Sequence, residues 1–94
     1  MKLSRTVKIL STSTFFNVRN ELTFQLIIGN GEEYVEYVFI LDGDDTTPGY
    51  KEKLIKLCVL LNCNLNGFAG KELHFELDPK LSLFQNITKF FDNL

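Results

Sequence analysis

Ninety-four residues with a formal net charge of −2, 45% hydrophobic and 23% charged, support one domain spanning 1–94 and exclude a disordered chain, which would be poor in Val, Ile, Leu and Phe. The charge is segregated: residues 1–20 carry +4, residues 21–50 carry −7 without a single Lys or Arg, and residues 51–94 carry +1. Such a block reads either as a solvated hairpin or as a surface aimed at a basic partner.

No run approaches the roughly 20 apolar residues that span a bilayer. The first ten residues alternate charged and apolar side chains and lack the apolar stretch of a secretory signal. The chain therefore reads as a cytoplasmic protein with no membrane association. Ser4 to Leu10 is a first strand, with Val7 and Ile9 sharing one face. Ser11 to Asn20 is rich in Ser, Thr and Asn around Phe15 and Phe16, as in a loop or an irregular strand end. Glu21 to Ile28 alternates most clearly, with Leu22, Phe24, Leu26 and Ile28 on one side. Gly29-Asn30-Gly31 is a turn, because these residues accept positive φ at little cost. Glu32 to Leu41 then pairs back, with Val35, Tyr37, Phe39 and Leu41 on one face and Tyr34, Glu36, Val38 and Ile40 on the other; residues 21–41 form a β-hairpin.

Thr47 is placed to cap a helix whose first turn holds Pro48. Leu54, Leu57, Cys58 and Leu61 form its buried stripe, widened by Ile55 and Val59, while Lys51, Glu52, Lys53 and Lys56 face water. Gly67 to Gly70 turns into a strand over Lys71 to Asp78, with Leu73, Phe75 and Leu77 opposite Glu72, His74 and Glu76. Asn86-Ile87-Thr88-Lys89-Phe90 alternates loosely and reads as a closing strand; a short C-terminal helix is the alternative. The fold class is thus mainly β with one helix (α+β), in the order strand, strand, strand, helix, strand, strand. That order predicts a five-stranded, OB-like antiparallel barrel, closed so that few edges remain. An open antiparallel sheet packed on one helix is the competing architecture.

Three patches carry a likeness to a known family. They are Leu22-Thr23-Phe24-Gln25-Leu26-Ile27-Ile28 with Tyr34 to Leu41, then Lys53-Leu54-Ile55-Lys56-Leu57-Cys58 with Gly67-Phe68-Ala69-Gly70-Lys71-Glu72-Leu73, and Asn86-Ile87-Thr88-Lys89-Phe90. Together they resemble a phage-encoded family of small OB-fold proteins regarded as binding single-stranded DNA. The resemblance implies a compact OB-fold and a nucleic-acid partner. The chain is short for that family, and its acidic hairpin departs from it.

Nothing in the sequence forms a catalytic constellation, and the chain reads as non-catalytic, with no cofactor and no metal. His74 lies between Glu72 and Glu76 in what reads as a solvent-facing row. Asp42-Gly43-Asp44-Asp45 runs straight into Thr46-Thr47-Pro48 and lacks the distal ligands of a calcium loop. Cys58 and Cys63 read as reduced, small apolar side chains.

Two binding functions fit. A single-stranded nucleic-acid-binding protein pairs a basic groove with rings on which bases stack; an OB groove would draw on Phe15, Phe16, Arg19, Tyr34, Tyr37 and Lys80, with phosphate contacts from Lys2, Arg5 and Lys8. Alternatively, an acidic surface of Glu32, Glu33, Glu36, Asp42, Asp44 and Asp45 would bind a basic protein. That surface would suit an anti-CRISPR-like inhibitor or nucleic-acid mimic; a homo-oligomer formed at a self-complementary strand edge belongs to the same class, and a phage assembly protein is a third possibility. The basic set gathered on one face with exposed rings would favour the first; a continuous acidic patch would favour the second.

Overall fold

The apolar alternation builds a sheet and two helical stripes close it from one side. The computed structural model describes residues 3–94, with side chains from Thr6 onward. Its elements are β1 (Leu3–Phe16), β2 (Leu22–Gly29), β3 (Tyr34–Asp42), α1 (Tyr50–Leu61), a 3-10 turn at Leu65–Gly67, β4 (Glu72–Leu77) and α2 (Leu83–Asp92). The strands form one antiparallel sheet in the order β3-β2-β1-β4. It is curled into a half-barrel rather than closed.

β1 changes partner along its length. Leu3 to Lys8 pairs with β4, and Lys8 to Phe16 pairs with β2. Near the handover Ile9 opposes Ile28 and Ser11 opposes Ile27, so Leu10 has no opposite number. This is a β-bulge, which bends a strand and raises its twist. The sequence reading ended the first strand at Leu10. Here pairing continues to Phe16, because Ser and Thr side chains suit a strand one of whose faces is wet.

The inner face of the sheet supplies Val7, Ile9, Phe24, Leu26, Ile28, Phe39 and Leu73 to a single core. Leu54, Leu57 and Leu61 of α1 and Leu83, Ile87 and Phe91 of α2 complete it, with Phe68 between. Both helices therefore cover the same face. The hairpin phases match those expected from the alternation. Helix α1 starts at Tyr50, later than expected, with Gly49 as its N-cap in the left-handed region (φ 67°). Thr47 is not its cap: its Oγ1 accepts the Ile40 N–H (2.8 Å), and its own N–H donates to the Ile40 carbonyl (2.9 Å). Ile55 and Val59 do not widen the buried stripe but lie exposed.

The expected fifth strand is a helix, so the described residues form four strands and two α-helices. Ser82 and Gln85 form a reciprocal capping box at the start of α2, satisfying main-chain donors that have no partner inside the helix. Asn86 is buried and makes four bonds that fold the preceding turn onto the helix. Its Oδ1 accepts the Asp78 N–H (2.8 Å), and its Nδ2 donates to the carbonyls of Asp78, Leu81 and Ser82. At the other end, Lys53 Nζ donates to the Phe91 carbonyl (2.6 Å) and Lys56 Nζ to the Leu94 main-chain oxygen (2.8 Å). Cations of α1 thus meet the negative end of the α2 dipole.

Candidate interaction surface

With both helices on the inner face, no helix among the described residues covers the outer face of the sheet. Register assigns its rows. Phe15, Thr23 and Ile40 form one row, Ser13, Gln25 and Val38 the next, then Ser11, Ile27 and Glu36, then Lys8, Gly29 and Tyr34. Beyond β1, Lys8 opposes Glu72, and Thr6 opposes His74. Three apolar or aromatic side chains stand well out of this face: Tyr34 at 67% exposure, Leu10 at 49% and Val38 at 43%. Phe15 covers the buried Thr23 and remains 39% exposed. Gly29 has no side chain to fill its row, leaving a depression lined by Lys8, Leu10, Asn30 and Glu72. A methyl group there would come within 2.8 Å of the Glu33 carbonyl and 3.1 Å of Tyr34 Cβ.

The residues named for nucleic acid do not assemble. Lys8, Phe15 and Tyr34 share the outer face. Phe16 follows Phe15 on the strand and so takes the opposite face, where it is exposed. Tyr37 belongs to the core: its ring stacks on Phe91 with centroids 4.3 Å apart and meets Phe39 edge-on at 5.2 Å. Burial, and to a lesser degree Asp92, pushes its phenol above the ordinary value. Arg19, in the β1–β2 turn, is ion-paired with Asp45. Lys80 lies in the β4–α2 turn, off the sheet face. Arg5 occupies a β1 position opposite Phe75, with its side chain outside the described residues, and Lys2 lies outside them altogether. Among described side chains, the outer face holds one base, Lys8, against Glu36, Glu72 and Glu76.

The acidic set is divided as well. Glu32 and Glu33 sit at the β2–β3 turn, where their N–H groups both donate to Asn30 Oδ1. Asp42, Asp44 and Asp45 lie at the far end of β3, about 30 Å away at the rise of a strand. Glu36 lies between them on the outer face.

A buried carboxylate that the sequence reading did not single out organises that far end. Glu21 is 4% exposed. It accepts the Asp45 N–H (3.0 Å) and a bond from Asn17 Nδ2 (3.1 Å), while Asn17 Oδ1 accepts its N–H. Gly43 is needed against it, since a Cβ there would lie 2.5 Å from Glu21 Cγ. The Asp45 N–H first, then Asn17 and Arg19, hold the Glu21 carboxyl below the ordinary carboxylate value, outweighing the opposite pull of burial. A lowered folded-state value gives stability that is present above the ordinary value and lost as pH falls through the folded one. Acid unfolding followed by circular dichroism should therefore show Glu21→Gln losing less stability than the parent between about pH 5 and pH 2. Parallel curves would remove this account.

No group of three or more His, Cys, Asp or Glu among the described residues could hold a metal. His74 faces solvent as expected, its Nδ1 2.8 Å from Thr6 Oγ1 and its Nε2 3.8 Å from Glu72. Both cysteines are free thiols, and burial, with a smaller effect from Cys63, pushes the Cys58 thiol up. No helix among the described residues is long and apolar enough to cross a membrane. No protein-family model, curated protein or solved structure matches this chain.

Proposed function

We propose that this chain is a non-catalytic protein-binding module that meets its partner with the outer face of its sheet. The observation that carries this reading is the uncovered face itself, from which Tyr34, Leu10, Val38 and Phe15 project. Several exposed apolar and aromatic side chains gathered on one face among polar neighbours mark interaction sites on folded proteins. Aromatic anchors with few charges at the centre are the composition of a protein interface core.

A single-stranded nucleic acid fits this face less well. Affinity for such a ligand rests on phosphate neutralisation. Lys8 faces Glu72 across the strand pair, Arg19 is engaged by Asp45, and Glu36 shares the face.

Two measurements test the reading. Panning a random-peptide display library on the immobilised protein should enrich binders that are lost on Tyr34→Ala and Val38→Asp, both of which are surface changes. Fluorescence anisotropy with a labelled single-stranded oligonucleotide should show no micromolar binding at low salt. Micromolar binding that weakens steeply as salt rises would overturn the proposal in favour of a phosphate-tracking surface.

A further inference from the structure

The geometry points to the free edge of β3 as the docking point, and to an extended, basic segment of a partner protein as its occupant, added as a fifth strand. This rests on the protein-binding reading and gives it a specific ligand chemistry. The order β3-β2-β1-β4 leaves β3 at the end of the sheet. Both main-chain groups of Ile40 turn away from β2 to meet Thr47. In an antiparallel ladder alternate residues turn the same way. Val38, Glu36 and Tyr34 therefore present their N–H and C=O groups on that same edge, while Thr47 closes it beyond Ile40. An incoming strand would find main-chain donors and acceptors over a five-residue span, the arrangement used in strand addition.

The side chains state what the strand should carry. Tyr34, Glu36 and Val38 all point to the outer face and are exposed. A residue placed opposite Glu36 is matched by a cation, and its neighbours two positions away by apolar groups against Tyr34 and Val38. The surroundings reinforce the sign: Glu32 and Glu33 flank one end, Asp42 and Asp44 the other, and residues 21–50 contain no base. A second copy is disfavoured by the same residue. Two-fold pairing of β3 with itself about its free span sets Glu36 directly against its own equivalent, and like charges in that position are destabilising.

The probe is an acetylated, amidated peptide, Thr-Val-Thr-Lys-Thr-Val-Thr, beside the same peptide with Glu for Lys. Titrated into isotopically labelled protein, the Lys peptide should shift the amides of Tyr34, Glu36 and Val38 and slow their hydrogen exchange. It should bind about five- to tenfold more tightly than the Glu peptide, and Glu36→Lys should invert that preference. Glu36→Lys is an exposed change that leaves the core intact, and Val38→Pro gives a second check. The Val38 N–H faces outward, so proline there removes an edge donor without breaking the ladder to β2; peptide binding should be lost while the melting temperature is kept. Shifts centred elsewhere on the outer face, such as on Leu10 and Phe15, or equal binding of both peptides, would overturn the edge assignment and leave the outer-face reading standing, whereas shifts centred on the exposed Ile55, Val59 and Leu60 of α1 would overturn both. No binding by either peptide, together with a library that yields no binder, would overturn both.

Discussion

Phe91→Ala is expected to lower the unfolding free energy by about 4 kcal/mol, the typical cost of truncating a buried phenylalanine. In a domain of this size that corresponds to roughly 20 °C in melting temperature. Phe91 is fully buried. Its ring stacks on Tyr37, meets Phe39 edge-on at 5.8 Å and packs against Phe90 at 5.3 Å. It is the point at which α2 grips β3, so its loss opens a cavity where no closing strand exists to compensate. A second readout separates this mechanism from general unfolding. The Tyr37 phenol is held above its ordinary value chiefly by burial. A raised folded-state value means that stability is lost as pH rises above the unfolded value of about 10. Exposing Tyr37 in the variant should bring its titration down towards that value and flatten the alkaline loss of stability. An ultraviolet titration of tyrosinate in which parent and variant coincide would show that Phe91 does not shield Tyr37.

Asn86→Ala is expected to cost about 3 kcal/mol, measured by urea unfolding. The side chain closes the β4–α2 turn with four bonds. Removing it strands the part-buried Asp78 N–H, and an unsatisfied donor away from water costs about 1–3 kcal/mol before the lost carbonyl bonds are counted. Asn86→Asp offers a comparison. It keeps an acceptor for the Asp78 N–H but loses the Nδ2 donor, and its charge is buried, so it should not rescue. A loss below about 1 kcal/mol for the alanine variant would show that water replaces the amide.

Residue 86 also explains where sequence reading fell short. A helical stripe is present at Leu83, Asn86, Ile87, Phe90 and Phe91, and Ser82 with Gln85 is a capping-box pair. An asparagine inside the stripe hides it, because its burial is justified only by a turn that must already be folded. The stretch 86–90 then imitates a strand. The hairpin was legible because its apolar positions alternate without interruption and Gly29-Asn30-Gly31 breaks them cleanly. That same alternation put Tyr37 in line with Val35 and Phe39, so its place in the core was already readable and argued against its use as a binding ring. Charge assignments were the least legible part. Arg19 and Asp45 are 26 positions apart, whereas the acids that the strand carries to its two ends are close in sequence, and a linear charge count sees neither the pair nor the separation. Leu10 and Val38 carry no site signal in the sequence, because a single exposed apolar residue gains meaning only once the sheet shows which face it stands on.

The bulge at Leu10 has a consequence for how this chain tolerates change in length. In an ordinary strand the loss of one residue turns every later side chain over, exchanging core for solvent. Here Leu10 is the supernumerary residue, and its removal would bring Ile9 and Ser11 into direct succession against Ile28 and Ile27. Thr12, Thr14 and Phe16 would keep their side of the sheet, as would Ser11, Ser13 and Phe15. What would be lost is the bend between the two pairing partners of β1. The bend within β1 is thus separable from its alternation, so a single-residue deletion can straighten that strand without turning its side chains over.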